Sequence, residues 1–408
     1  MNKKIIAVLL VSLLYSAVWA KKHIVGYYPT WKAHHYSPTD VAWDMITQLD
    51  YSFYAPGPDG KLHVTGGIQG VAAIDNILIY GPTSQTGQKK CLTNINAEDK
   101  VTTQCTTHAK GAEKESLISI AHKNGVKVYA SVGGWTLTKN FYGIAKSPAK
   151  TKVFVNQAIK LMSVHGFDGI DLDWEYPGTD GHVPKLASSV DKVNFVKLTS
   201  ALRVAIDAYN KKTGKKSGLT AAVPCSGWRL GQGYDIPALV KNLDVFNLMA
   251  YDLHGPWEEK FGLNSPLYGK DAKDMGSASA CVDLWLKAGV PKEKMNMGLA
   301  FYGRSWSGPK QADTATWSDG GAPSYNEIME KEKDLKMMWD DQAKVPYATY
   351  TINSVKGELG FENPQSIAIK ARYVSEKNLN GVLIWEITQD KMPDGSQPML
   401  DSLNANLK

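Results

Sequence analysis

Short apolar runs alternate with longer amphipathic segments along most of the chain. Runs rich in β-branched and aromatic residues predict eight strands, at 24–28, 50–55, 127–134, 166–174, 219–224, 245–252, 296–303 and 381–387. Between them, apolar residues recur at helical spacing in six segments, at 112–124, 148–164, 190–210, 235–242, 276–288 and 365–379. This alternation predicts a parallel sheet with helices outside it, and eight strands predict closure into an α/β fold of the (β/α)8 barrel type.

Two stretches exceed the roughly 250 residues that a bare barrel needs. Residues 56–111 follow the second predicted strand and are rich in Gly, Thr, Asn and Gln. Residues 304–364 contain SYNEIMEKEKDL, which predicts a helix, and KMMWDD and YATYTI, which predict strands. We interpret 304–364 as a small α+β subdomain, inserted between strand 7 and helix 7 of a barrel that spans 21–408.

The N-terminus has the pattern of a secretory signal peptide. MNKK is positively charged, IIAVLLVSLLY is apolar but short for a membrane anchor, and SAVWA ends in a small residue, so cleavage is expected after Ala20. The formal charge of +6 is spread over 408 residues, without the lysine/arginine run typical of nucleic-acid binding. We expect a secreted monomer, extracellular or periplasmic, with no nucleic-acid partner and no membrane segment after cleavage.

Four cysteines in an exported chain allow three disulfide pairings. Cys91 and Cys105 share one polar segment, which favours a local disulfide between them. For Cys225 and Cys281 the sequence leaves two interpretations open, a second disulfide or two buried thiols.

The stretch FDGIDLDWEYP, residues 167–177, places four acids within eight residues of an apolar run. Alternate residues of a strand point the same way, so Asp171, Asp173 and Glu175 are predicted to line the barrel interior. Glu175 then lies nearest the C-terminal mouth, where barrel active sites are built. Like charges this close raise a carboxyl pKa toward the value that a general acid needs.

A structural acid cluster or a metal site is the alternative explanation for these acids. A calcium loop requires a flexible turn rather than a strand, and the histidines lack the spacing of zinc ligands. Burying several carboxylates is costly, which favours a catalytic role over a structural one. The sequence therefore predicts acid–base catalysis with neither a metal nor a cofactor.

DGIDLDWEYP resembles the D-G-x-D-x-D-x-E signature of family 18 chitinases. Five further motifs resemble that family in the same order along the chain: GYYPTW (26–31), SVGGW (131–135), MAYD (249–252), FYGR (301–304) and LIWE (383–386). SYNEI, MMWDD and PYATY resemble the α+β insertion of the same family. The resemblance covers nearly all of 21–408 and implies a chitinase that acts on chitin and N-acetylglucosamine oligomers.

The resemblance implies a role for each matching position. Glu175 becomes the general acid and later the base, and the substrate's own 2-acetamido oxygen attacks the anomeric carbon to form an oxazolinium ion, with retention. Asp173 orients the acetamido group, Asp171 shares a proton with Asp173, and Tyr251 donates a hydrogen bond to the acetamido carbonyl. Expected sugar contacts are Tyr27, Trp31, Phe53, Trp135, Met249, Asp252, Trp257, Tyr302, Arg304 and Trp385, with Trp228 and Trp306 as weaker candidates.

Several alternatives stay open beside this interpretation. Phe53 also suits core packing, and Arg304 also suits an ordinary ion pair. A lectin of the family would bind chitin oligomers without cleaving them, but such relatives usually lack the acid at the Glu175 position. An enzyme of the same fold that cuts N-glycan cores or peptidoglycan would meet the same sugar. The insertion and the aromatic residues favour chitin, and a deep groove favours an exo-acting or processive enzyme.

Overall fold

The computed structural model describes residues 22–33, 35–64, 117–271 and 276–408, together with the backbone of 89–95 and 101–107. The predicted signal peptide, 1–20, lies outside these residues. None of the helices in the described ranges is both long and apolar enough to cross a membrane.

Eight parallel strands form a closed barrel. Pairing runs in the order β1-β2-β6-β7-β8-β9-β10-β15, and β15 pairs again with β1, which confirms the predicted (β/α)8 architecture. In chain order the strands are β1 (His23–Pro29), β2 (Gln48–Pro56), β3 (Leu62–Val64), β4 (Lys89–Ile95), β5 (Val101–Thr107), β6 (Lys127–Gly133), β7 (Gly169–Asp173), β8 (Gly218–Pro224), β9 (Val245–Met249), β10 (Met295–Ala300), β11 (Arg304–Trp306), β12 (Leu335–Asp340), β13 (Val345–Ile352), β14 (Val355–Gly360) and β15 (Gly381–Trp385).

Six of the helices follow the six predicted segments, and four of these six begin at side chains that cap them. The side chains of Ser147, Asp235, Ser277 and Asn363 each accept a backbone N–H of the first turn that would otherwise lack a partner. The helices are α1 (Leu117–Lys123), α2 (Phe141–Lys146), α3 (Pro148–Lys160), α4 (Asp191–Thr213), α5 (Gly227–Gly233), α6 (Ile236–Asn242), α7 (Ala278–Lys287), α8 (Tyr325–Glu330), α9 (Pro364–Glu376) and α10 (Pro398–Asn406).

The main core lies between the barrel strands and the helices. Ile170, Leu172 and Trp174 alternate with the acids of β7, and all three are buried on the helix side. The Trp174 ring stacks on Phe141, with 5.5 Å between the centroids and 13° between the planes. Apolar burial against the helices thus sets the register of β7, and the period of two turns the intervening acids inward.

A second, smaller sheet follows β10. Strands β11, β14, β13 and β12 pair antiparallel in that order, and α8 precedes β12. This α+β insertion has its own apolar core. The predicted helix and strands within 304–364 are therefore present, and the insertion ends before α9, between the seventh barrel strand and its helix.

The structure describes the side chains of one pair of cysteines and only the backbone of the other pair. Cys225, in the turn after β8, forms a disulfide with Cys281 of α7. Cys91 lies opposite Cys105 in the register of the β4–β5 hairpin. The disulfide predicted between Cys91 and Cys105 lies outside the described side chains.

Candidate active site

Asp171 lies inside the barrel with no exposed surface. Its Oδ2 accepts hydrogen bonds from the Tyr27 hydroxyl and the Ser131 hydroxyl, each at 2.8 Å. Its Oδ1 accepts from Thr220 Oγ1 at 2.6 Å and from Asn247 Nδ2 at 3.3 Å. Burial raises the pKa of Asp171, and these hydrogen bonds oppose that rise. Because it accepts from four donors, the Asp171 carboxyl ionises more readily than the carboxyls of Asp173 and Glu175.

Asp173 ends β7, one inward position nearer the mouth, and is 4% exposed. Its Oδ1 is buried and has no hydrogen-bond partner among the described residues. Burial first, and then the charges of Glu175 and Asp171, raise the pKa of Asp173 well above its ordinary value. The side chain is therefore suited to hold a proton and to turn toward a hydrogen-bonding group that enters the cleft.

Glu175 follows β7 at the C-terminal mouth, where its backbone N–H donates to Thr138 Oγ1 at 2.8 Å. Burial raises the pKa of the Glu175 carboxyl to about 7, and the charge of Asp252 adds to the rise. Hydrogen bonding by Tyr176 and the cation of Arg229 oppose it. A carboxyl with this pKa keeps its proton at mildly acidic pH and can deliver it to a leaving group.

A polar group lies near the acids, beyond the end of β9, which is two strands from β7. The Asp252 carboxylate accepts two hydrogen bonds from the Arg304 guanidinium, at 2.8 and 2.6 Å, and one from the Tyr302 hydroxyl at 2.7 Å. The Tyr251 ring meets the Tyr302 ring edge-on at 6.0 Å. Burial, together with Tyr302 and the nearby carboxyls, raises the pKa of Tyr251, so its hydroxyl stays protonated and can donate. Arg304 therefore makes the ion pair that the sequence left open, while it also lines the cleft.

Aromatic rings form the floor beside the acids. Trp385, at the end of β15, stacks on Phe53 with 5.7 Å between the centroids and 16° between the planes. Trp31 stacks on Phe53, with 6.1 Å between the centroids, and its ring lies 6.4 Å from that of Trp385. Tyr27 lies below, 5.8 Å from Trp385, with its hydroxyl on Asp171. Flat apolar faces of this kind suit the C–H faces of sugar rings.

These groups surround one cleft with a volume of about 1630 Å³. Of the residues that the sequence predicted for the site, all line it except Asp171, which lies beneath it, and the weaker candidate Trp306. Trp135 and Trp257 are about half exposed, at 46% and 50%, and stand on its walls. The chain thus brings together residues from β1, β2, β7, β8, β9, β11 and β15 and from the segments that follow these strands, β6 and β10.

The sequence predicted Trp228 and Trp306 alike as weaker candidates for sugar contact, but the structure places only Trp228 at the cleft. Trp228 is 57% exposed and lines the cleft. Trp306 is 3% exposed and does not line the cleft; its ring packs edge-on against Phe261, from the segment after β9, with 5.0 Å between the centroids, so its prediction as a cleft residue is wrong. Trp306 belongs to β11, whose pairing with the distant strand β14 was not visible in the local sequence.

Two further residues at the site were not predicted from the sequence. Arg229 lies 4.5 Å above the Tyr176 ring, bonds Asp180 at 3.2 Å and lines the cleft. Its position a few residues after barrel strand β8, in the short helix α5, was the available signal. Asp50 points into the barrel from β2 and is fully buried. Its place in the predicted strand 50–55 was the only indication of it.

The family model for Glycosyl hydrolases family 18 matches residues 23–390. The chain belongs to this family. It is 29% identical to Chitinase A1 of Niallia circulans, over 94% of this chain and 58% of that protein, and 31% identical to Chitotriosidase-1 of Mus musculus, over 72% of this chain and 66% of that protein. The chain thus spans about three fifths to two thirds of the length of these relatives. The crystal structure of Ostrinia furnacalis Group IV chitinase superposes with a TM-score of 0.73 at 26% identity, covering 95% of this chain and 99% of that one.

Proposed function

We propose that the protein is a secreted chitinase that hydrolyses β-1,4 linkages between N-acetylglucosamine units, with retention and with assistance from the substrate. The observation that carries this proposal is the pair formed by Asp173 and Glu175. One carboxyl oxygen of Asp173 is buried without a partner among the described residues, and Glu175 has a pKa of about 7. The family match and the relatives named as chitinases support the choice of substrate.

In this mechanism Glu175 acts first as an acid. Its proton passes to the glycosidic oxygen, and the bond to the leaving sugar breaks as the substrate's acetamido oxygen attacks the anomeric carbon. Asp173 accepts the N–H of the acetamido group, and the single negative charge of the Asp171–Asp173 pair, which shares one proton, balances the positive charge of the oxazolinium ion. Tyr251 donates to the acetamido oxygen. Water then adds to the anomeric carbon, and Glu175, now a base, takes the proton of the water.

The positions of the two acids favour this route over a protein nucleophile. Asp173 and Glu175 follow one another on the same strand end. A nucleophilic carboxylate would stand across the scissile bond from the acid, about 5 Å away. Asp171, with four hydrogen-bond donors, holds negative charge below Asp173 and helps it to retain a proton.

The cleft also supports an exo-acting or processive mode. Lys32, in the turn after β1, forms an ion pair with Asp319 of the insertion, with 3.2 Å between Nζ and Oδ2. Both side chains line the cleft. A glycan chain cannot pass between two atoms at this distance, so the contact between opposite walls restricts the cleft beside Trp31. Such a restriction favours binding of a chain end over binding within a long chain.

Hydrolysis of soluble N-acetylglucosamine oligomers at mildly acidic pH tests the activity. We expect the native protein to release disaccharide in the β form and the Glu175→Gln variant to be nearly inactive. Products in the α form would contradict retention. Binding without cleavage by the native protein would indicate a lectin. Cleavage of peptidoglycan or N-glycan cores in preference to chitin would show that chitin is not the main substrate.

The mode of action is tested separately on a soluble chitin derivative, by viscosity as a function of bonds cleaved. We expect Lys32→Ala to lower the viscosity faster per bond than the native protein, because internal binding becomes easier. Lys310→Ala is the matched control, since it removes an ion pair with Glu259, at 2.6 Å, outside the cleft. If Lys32→Ala follows the native curve, the restriction does not determine the mode, although the activity stands.

A further inference from the structure

A chain of side-chain amides runs through the barrel below the acids. At its lower end lies His23, the first residue of β1, which borders a cavity of about 910 Å³ at the N-terminal face. One arm passes from His23 Nε2 to Gln48 Oε1 at 3.1 Å, and from Gln48 Nε2 to Asp50 Oδ1 at 2.6 Å. The arm thus connects a histidine at one face of the barrel to a buried carboxyl.

A second arm leads from His23 to Asp171. Its Nδ1 lies 3.1 Å from Asn296 Nδ2 and 3.1 Å from Asn380 Nδ2. Asn296 Nδ2 also donates to Asn247 Oδ1 at 2.9 Å, and Asn247 Nδ2 donates to Asp171 Oδ1 at 3.3 Å. Each residue of this arm except His23 and Asn380 is fully buried, so its hydrogen bonds cannot be exchanged for bonds to water.

The carboxyl oxygens determine the direction of both arms. Asp171 and Asp50 accept, so Asn247 and Gln48 must present their N–H groups to these carboxyls. The amide oxygen of Asn247 must then accept from Asn296, and that of Gln48 must accept from His23. Gln48 Oε1 therefore accepts from His23 Nε2, while two amide N–H groups converge on Nδ1 of the same ring. Only the neutral ring with its proton on Nε2 satisfies every contact.

We propose that His23 is a positioning residue for the acid stack, resting on the proposed function: its neutral Nε2–H tautomer orients the amides that supply hydrogen bonds to Asp171 and Asp50. A proton on Nδ1 would face two donors and reverse the Asn296–Asn247 arm. Asp171 would then lose one of its four donors, and its negative charge beneath Asp173 would be less stable.

The surroundings of His23 agree with a neutral ring. Burial lowers the pKa of His23 to about 4, and the charge of Lys127 adds to this, while its contacts with Gln48 and Asn296 oppose it. The charged side chains around the N-terminal cavity are of both signs and include Lys22, Lys127, Arg203, Asp207, Asp244 and Glu293. The ring is thus expected to stay neutral through the mildly acidic range in which Glu175 still holds its proton.

Two substitutions separate the arms. In His23→Asn, the amide oxygen stands as many bonds from Cβ as Nδ1 does and can accept from Asn296 and Asn380. In His23→Gln, the amide nitrogen replaces Nε2 and keeps only the contact with Gln48. We expect His23→Asn to retain most of kcat and His23→Gln to lose at least about tenfold, with KM little changed in both.

The pH profile gives a second measurement on the same variants. Loss of a donor raises the pKa of Asp171. The acid limb of the kcat–pH profile should therefore lie at higher pH in His23→Gln than in the native protein, and should be unshifted in His23→Asn. Asn247→Leu removes the donor directly and should shift the limb in the same direction. Equal kcat values and unshifted limbs in His23→Asn and His23→Gln would overturn the proposal, because a residue needed only for folding would not distinguish the two.

A spectroscopic test does not depend on activity. In protein labelled with ¹⁵N-histidine, the ring nitrogens of His23, assigned by their absence in His23→Asn, should show the Nε2–H tautomer and no titration down to about pH 5. The Nδ1–H tautomer, or titration near the ordinary value of about 6.5, would refute the proposal. Failure of native protein to cleave chitin oligomers would instead count against the proposed function and leave this result unaffected.

Discussion

Glu175→Gln is expected to make the protein more stable as well as inactive. Folding raises the pKa of the Glu175 carboxyl from 4.5 to about 7. Above pH 7 the side chain is ionised in both the folded and the unfolded protein, and the folded state bears the cost of a buried charge. A shift of this size corresponds to about 3 kcal/mol. Glutamine has nearly the same shape without the charge, so the variant avoids this cost.

The sign of the effect depends on pH. Below about pH 4 the carboxyl is protonated in both states, so its replacement by an amide changes little. As pH rises from 4.5 to 7, the unfolded protein loses the proton first, and the native protein loses stability relative to the variant. The difference in the free energy of unfolding is therefore expected to grow from near zero at pH 4 to about 3 kcal/mol at pH 8.

Urea unfolding at pH 4 and pH 8 measures this difference. Glu376→Gln is the control, because Glu376 is exposed at the end of α9 and its replacement should change stability by less than about 0.5 kcal/mol at either pH. A Glu175→Gln variant that is equally stable relative to native at both pH values would refute the reasoning. It would mean that folding does not raise the pKa of Glu175, and the general-acid assignment would lose its physical basis.

Three further predictions concern the rest of the site. Replacing Cys225 and Cys281 by alanine opens a loop of 56 residues, so the free energy of unfolding should fall by about 4 kcal/mol; an unchanged urea midpoint would show that the bridge does not stabilise the fold. Arg229→Gln removes a cation that lowers the pKa of Glu175, so the alkaline limb of kcat/KM should move to higher pH, and a move to lower pH would contradict this. Trp385→Ala removes the stacked floor, so kcat/KM for oligomers should fall at least about tenfold while the circular dichroism stays native; native kinetics would exclude sugar contact there.

The inward direction of Asp171, Asp173 and Glu175 could be predicted because their geometry is local. In a strand, alternation fixes which side chains share a face, and Ile170, Leu172 and Trp174 identify the face turned to the helices. Those three apolar residues must be buried, so the acids between them had to point into the barrel. The barrel itself followed from the count of strands and helices.

Other features depend on which strands become neighbours. Asp50 stands on β2, two strands from Asp171, and the amides that link each of them to His23 come from β2, β9, β10 and the residue before β15. The burial of Trp306 depends on the pairing of β11 with β14, about 54 residues later in the chain. Local patterns contain no information on such pairings.

By itself, the sequence determined the class of fold, the inward direction of the three acids and the motifs of the family, because each depends on residues close together in the chain. Only the tertiary structure decided the pKa of Glu175, the Asp252–Arg304 contact, the Lys32–Asp319 contact between the cleft walls and the tautomer of His23. A pKa, an ion pair or a tautomer is set by burial and by the groups within a few ångströms. Closing the barrel brings those groups together from opposite ends of the chain.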